Sequence, residues 1–200
     1  MQRSGLSRVI PVILIMIVIA AAVAGLISVG QSILGGDTQQ PAEVNVGRQA
    51  LTEVKNGSGI RMTVRGPIVA NEEFHSYTIT IRPNYRSITT YVGYNKKPLN
   101  HRELNNNKRA YEQFVYALSR LDFMNSMPLR GEVNDTRGIC ATGMLYEFEV
   151  LQNNKSVQKL WTTSCGGSRG SFNSNLTRTR ELIQDQIPGI EKILGKVRLP

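Results

Sequence analysis

The stretch MLYEFEVLQNNKSVQKLWTTSC, residues 144–165, decides the fold. Tyr146, Phe148 and Val150 alternate with Glu147 and Glu149, the period of a strand with one face buried. A second β-rich run follows Gln152-Asn153-Asn154-Lys155, and asparagines between two such runs signal a tight hairpin turn. A turn centred on Asn153-Asn154 sets Tyr146 against Trp161 and Val150 against Val157. Matched cross-strand pairs of this kind each contribute about 0.2–1 kcal/mol.

At the open end of this hairpin Cys165 falls opposite Thr142, and Cys140 lies two residues further along its strand. A diagonal neighbour in a regular ladder is about 7–8 Å away, slightly long for a disulfide. Gly138 and Gly143 allow a bend or bulge that closes the distance. Cys140 and Cys165 are the only two cysteines, and a bridge between them is expected. Closing a loop of about 25 residues stabilises the fold by about 3 kcal/mol in the chain-entropy model.

Upstream, residues 60–66, 74–83 and 87–94 read as three further strands. In the second, Tyr77, Ile79 and Ile81 face one way and Ser76, Thr78 and Thr80 the other. The pattern then switches to helical spacing over 106–125, where Tyr111, Phe114, Val115, Leu118 and Leu121 form a stripe that Asn106 or Asn107 can cap. Residues 127–138 read as a loop. After the hairpin, Leu176, Thr179, Ile183 and Ile187 mark a last helix, broken at Pro188-Gly189. The expected architecture is α+β, in the order β-β-β-α-β-β-α: one small antiparallel sheet with helices packed on one face, over residues 60–200.

The N-terminus concerns location. Residues 1–8 carry Arg3 and Arg8; residues 9–29 carry no charge. Twenty-one uncharged, mostly apolar residues match a helix across the roughly 30 Å hydrocarbon layer. The basic leader belongs on the cytoplasmic side, which leaves the domain outside the membrane, on an anchor in contact with lipid. The competing reading is a cleavable signal with Ala22-Val23-Ala24 before the cut, and it also places the domain outside. Residues 30–59 read as a flexible tether, with Val44, Val46 and Leu51 able to form a short element against the domain.

The composition, 40% hydrophobic and 20% charged, is globular. A formal charge of +9 favours weak attraction to anionic lipid, cell-wall polymer or nucleic acid, and a solvated basic surface is the plainer reading; the expected partner is an unknown protein or an anionic cell-surface polymer. Basic residues do not form runs, so nucleic acid is not an expected partner. The basic loop groups Arg82, Arg86, Lys96, Lys97, Arg102 and Lys108 are candidate contacts, with Trp161 and Arg169 beside the loop after Cys165.

Catalytic patterns fit poorly. Cys165 as a nucleophile needs a base, and His75 and His101 are the only histidines. Arg169 follows Cys165 too closely for the phosphatase arrangement, and the loop lacks the Gly-Lys-Ser/Thr of a phosphate loop. Two Cys and two His lack zinc-site spacing, and no metal or cofactor is expected. Glu147 and Glu149 share a strand face, a separation that could serve glycoside hydrolysis; the plainer reading is a solvent face opposite Gln158 and Leu160. Asn56, Asn134, Asn154 and Asn175 each begin an Asn-x-Ser/Thr triplet, which carries little meaning in the bacterial chain that the leader suggests.

A basic leader, an apolar N-terminal helix, an antiparallel sheet and a late disulfide together resemble the type IV pilins, with the fit beginning at Gly5. Two places depart from that pattern. Ile10 stands where a pilin's mature helix carries glutamate, and Gly35-Gly36 and Pro41 interrupt the stem. A pilin-like assembly subunit and a surface hydrolase are the alternatives to the main expectation, a membrane-anchored extracytoplasmic domain with a non-catalytic binding or scaffolding role.

Overall fold

A computed structural model describes residues 46–55, 57–127, 129, 134–166, 170–195 and 197. The leader 1–8, the apolar segment 9–29, tether residues 30–45 and Arg169 lie outside the described residues. No helix among the described residues is long and apolar enough to cross a membrane.

The fold is α+β. Among the described residues the elements are α1 (Val46–Thr52), β1 (Gly59–Arg65), β2 (His75–Ile81), β3 (Tyr85–Val92), β4 (Lys97–Asn105), α2 (Lys108–Arg120), β5 (Leu145–Gln152), β6 (Lys155–Thr163), α3 (Leu176–Gln184) and α4 (Ile190–Leu194). The six strands form one antiparallel sheet in the order β4-β3-β2-β1-β5-β6. Strands β1 to β4 follow one another as a meander. The chain then crosses by way of α2 so that β5 pairs with the free side of β1.

β4 has no counterpart among the expected strands, so Lys97 and Arg102 lie in a strand and not in loops. The reason is physical. Every residue of β4 except Leu104 is exposed, so its sequence, KPLNHRELN, has no buried face to impose alternation. Lys97, Pro98 and a register shift opposite Thr90/Tyr91 are the usual means of blunting a sheet edge.

Ahead of β1, α1 lies against the domain, with Ala50 and Leu51 buried in the core. The core gathers these two with Ile60, Met62 and Val64 of β1, Tyr77, Ile79 and Ile81 of β2, Phe148 and Val150 of β5, and Phe114 and Leu118 of α2. Rings of Phe123, Phe148 and Phe172 meet with centroids 4.5 to 5.9 Å apart. Asn107 caps α2, its side chain accepting from the Ala110 amide at 2.9 Å. Asn175 caps α3 in the same way.

The hairpin register is right at the turn and one residue out beyond it. Asn153 and Asn154 both take positive φ, 50° and 64°, as a mirror-type two-residue turn requires. Gln152 pairs with Lys155 and Leu151 with Ser156, but Val150 then faces Gln158, not Val157. This irregularity adds one residue to β6 and flips every later side chain to the other face. Glu147 therefore faces Trp161, Glu149 faces Lys159, and Leu160, not Trp161, joins Phe148 in the core. The expected Tyr146–Trp161 and Val150–Val157 pairs are corrected accordingly.

At the open end Cys140 and Cys165 are joined, with their Cα atoms 5.6 Å apart. Gly138 (φ 71°) and Cys140 (φ 54°) turn the chain, and the Gly143 amide reaches back to the Cys140 carbonyl at 3.3 Å. That fold-back closes the gap left by a regular ladder. A Cβ on Gly143 would stand 2.6 Å from Ser164 Oγ, 2.8 Å from Cys140 Sγ and 3.0 Å from Cys165 Sγ, so only glycine fits beside the bridge.

Candidate binding site

Antiparallel alternation brings three connections to one end of the sheet: Val54, Lys55, Gly57 and Ser58 ahead of β1, residues 82–85 between β2 and β3, and Asn153-Asn154 between β5 and β6. Together with Lys108 at the start of α2 they line a cleft of about 860 Å³.

Arg82 organises this end. Its amide donates to the Tyr85 carbonyl at 2.7 Å, closing the β2–β3 turn. The Asn106 side chain donates to the Arg82 carbonyl at 2.7 Å and ties the turn to the entry of α2. The Arg82 guanidinium crosses to the other two connections: Nη1 donates to the Gly57 carbonyl at 3.2 Å and to Asn154 Oδ1 at 2.7 Å. It also lies 5.8 Å from the Tyr85 ring centre, within cation–π range. The approach of Gly57 to the hairpin turn demands glycine: φ is 77°, and a Cβ would sit 2.8 Å from Asn153 Cα.

Charge in the cleft has one sign. Lys55, Arg82 and Lys108 line it, and among the described residues no carboxylate does. Lys55 pairs with Glu53 and Lys108 with Glu112, both through exposed side chains, where such pairs contribute little. The Lys55 ammonium, with the Gln49 amide, holds the Glu53 carboxyl below its ordinary range. Arg82 differs from both lysines. It is 8% exposed, its Nε makes no hydrogen bond, and among the described residues no carboxylate lies within ion-pair distance of it.

Other candidates are scattered. Arg86 is half-buried in β3, and Lys96 is exposed in the turn before β4 at φ 54°. Lys97 begins β4. Arg102, also in β4, donates to the Pro188 carbonyl at 2.8 Å. Trp161 is not a surface residue as expected: it is 3% exposed, and its Nε1 donates to Asn134 Oδ1 at 2.8 Å. The bulge in β6 turned it away from the core, and the segments around Asn134 and Ser171 cover it, with its own amide donating to Ser171 Oγ. The cleft thus unites two of the candidates, Arg82 and Lys108.

The groups weighed for catalysis serve the fold. Both cysteines are in the bridge, so no free thiol remains. His75 and His101 lie in different strands and bond to the Glu73 carbonyl and the Thr89 hydroxyl. Glu147 sits among Lys159 Nζ at 2.6 Å, Arg65 Nε at 3.8 Å and Thr136 Oγ1 at 3.4 Å, and Glu149 pairs with Arg61 at 3.5 Å. No cluster of three metal-ligating side chains occurs among the described residues. Three of the Asn-x-Ser/Thr asparagines use their side chains within the fold: Asn134 on Trp161, Asn154 on Arg82 and Asn175 as a helix cap.

Sequence reasoning missed Lys55, Tyr85, Asn153 and Asn154 as cleft residues. Each stands in a turn with an ordinary turn composition, and only the placement of β1 between β2 and β5 brings the three turns together. In comparisons with known proteins, no family model, no curated protein and no solved structure matches the chain.

Proposed function

We propose that the chain is a membrane-anchored extracytoplasmic domain with a non-catalytic binding role at the cell surface. The observation that carries this reading is the Cys140–Cys165 bond, which uses both cysteines of the chain. Structural disulfides belong to oxidising compartments. The charge-free segment 9–29 after a basic leader accounts for how the domain reaches one, and for its anchor. A binding role is favoured over chemistry because the thiols are bridged, the Glu147 and Glu149 carboxylates are held by cations, and the cleft at the turn end has walls of one charge. An anionic partner on the outer side of the membrane fits that charge.

The test uses the full chain in intact cells. Protease added outside should remove the domain, and a membrane-impermeant maleimide should label no thiol before reduction and two after. Protection from external protease, or thiols reactive without reductant, would overturn the reading.

A further inference from the structure

A guanidinium withdrawn from water without a counter-ion costs several kcal/mol unless its donors are occupied. Arg82 meets only part of that demand. It carries five N–H donors, and the bonds it makes within the fold, to the Gly57 carbonyl and Asn154 Oδ1, both come from Nη1. Nε is sealed without an acceptor, as are the Nε atoms of Arg65, Arg86 and Arg180, and a ligand in the cleft does not reach it. The donors left for one are those of Nη2, which no carboxylate among the described residues of the cleft wall meets.

The rest of the wall matches the same absent partner. Lys55 and Lys108 bring two more positive charges on long, exposed side chains able to reorient. Tyr85, Ser58, Asn84, Asn153 and Asn154 add neutral polar groups around them. Three cations around one space favour a multivalent anion over a single carboxylate. Arginine and phosphate oxygens meet in paired hydrogen bonds, while lysine contributes a point charge from any direction.

We propose that the cleft between Lys55, Gly57 and Ser58 and the β2–β3 and β5–β6 turns binds a multivalent phosphate-type oxyanion, seated on Arg82 and flanked by Lys55 and Lys108. The proposal rests on the reading of the chain as a binding domain and names the ligand chemistry of that role. The same oxyanion is offered by a phosphodiester polymer outside the membrane and by an anionic lipid headgroup.

The experiment is calorimetric titration of the full chain in zwitterionic micelles with inorganic pyrophosphate, at low and at moderate salt. Saturable binding with one site is expected, weakening as salt screens the exposed lysines. The double substitution Lys55→Gln, Lys108→Gln alters exposed side chains, so its melting temperature should stay unchanged while affinity falls by about ten-fold or more. Arg82→Met should abolish saturable binding. Separate titrations with a soluble glycerol-phosphate oligomer and with phosphatidylglycerol–phosphatidylcholine vesicles then assign the source, each competed by pyrophosphate. Pyrophosphate binding without response to either source points to a small soluble phosphate. Non-saturable binding, or equal affinity in the folded double variant, overturns the proposal. Because the protease and thiol measurements read location alone, an anion failure beside an intact topology removes this ligand class and leaves the binding-domain reading standing.

Discussion

The two ends of the sheet are closed by different chemistry. At one, the Cys140–Cys165 bond joins the segment before β5 to the end of β6, and the Ile68 amide reaches the Ala141 carbonyl at 2.8 Å. There Phe74 and Tyr94 stack at 4.1 Å, and together with Ile68, Ile139 and Leu145 they border an apolar groove of about 390 Å³. At the other, three turns meet around one buried arginine, and the cleft they form is cationic. A covalent bond fixes the first end whatever is bound. The second end is held by a charge whose hydrogen bonding is incomplete, which is how a site differs from a clasp.

That contrast can be broken by substitution, and the largest effect belongs to the covalent end. Replacing both Cys140 and Cys165 by serine should destabilise the domain by about 3 kcal/mol, the value for a closed loop of this size. In thermal unfolding this appears as a fall of roughly 6–12 °C. A fall of only a degree or two would mean that the surrounding hydrogen bonds, and not the bridge, close this end. Gly143→Ala should come next, at about 2 kcal/mol, because the new methyl meets Ser164 Oγ as well as both sulfurs. Introduced on the serine pair, the same change should cost measurably less, and an equal cost would show that the clash is with Ser164.

Between the two ends, Tyr77 gives a control in the core. Burial pushes its hydroxyl up to about 12, and the Gln184 amide donates to it at 3.0 Å. The native state therefore keeps this proton above the pH at which the unfolded chain loses it. Its contribution to stability should be flat up to about pH 10 and then be lost at about 1.4 kcal/mol per pH unit towards pH 12, beside a second loss from Tyr111, whose hydroxyl burial also raises. Tyr77→Phe should remove that part of the alkaline loss without changing the effect of either end. An unchanged alkaline profile would place the titration elsewhere.

The smallest expected change in stability is at the other end. Removing one partner of a buried ion pair costs about 3–5 kcal/mol because the remaining charge is stranded. Arg82→Met strands no charge among the described residues but leaves the Gly57 carbonyl and Asn154 Oδ1 without their donor, so stability should fall by only about 1 kcal/mol. A loss of about 3 kcal/mol would make Arg82 a staple of the fold, and the two ends would then be alike.

Legibility follows burial. β2 and β5 were readable because each buries Tyr77, Ile79 and Ile81, or Tyr146, Phe148 and Val150, on one face against the core. β4 was not, because an exposed edge strand has no face to encode. Cys140 and Cys165 could be paired from a hairpin count even though the count was one residue out, because the turn at Cys140–Gly143 makes up the distance. Trp161 was misplaced by that single residue: the β6 irregularity between the turn and the tryptophan leaves no mark in composition. In the cleft, Arg82 and Lys108 drew notice for their charge. Their convergence depends on β5 returning to pair with β1, a long-range pairing that local periodicity does not carry.

The difference between the ends is tested most directly by amide spectra of the full chain in zwitterionic micelles during pyrophosphate addition. The amides of Ser58, Tyr85, Asn153 and Asn154 should shift together and saturate, while those of Ile68, Tyr94 and Gly143 stay still. Saturable shifts confined to Ile68, Tyr94 and Gly143, or none at either end, would contradict the assignment of the arginine end as the site.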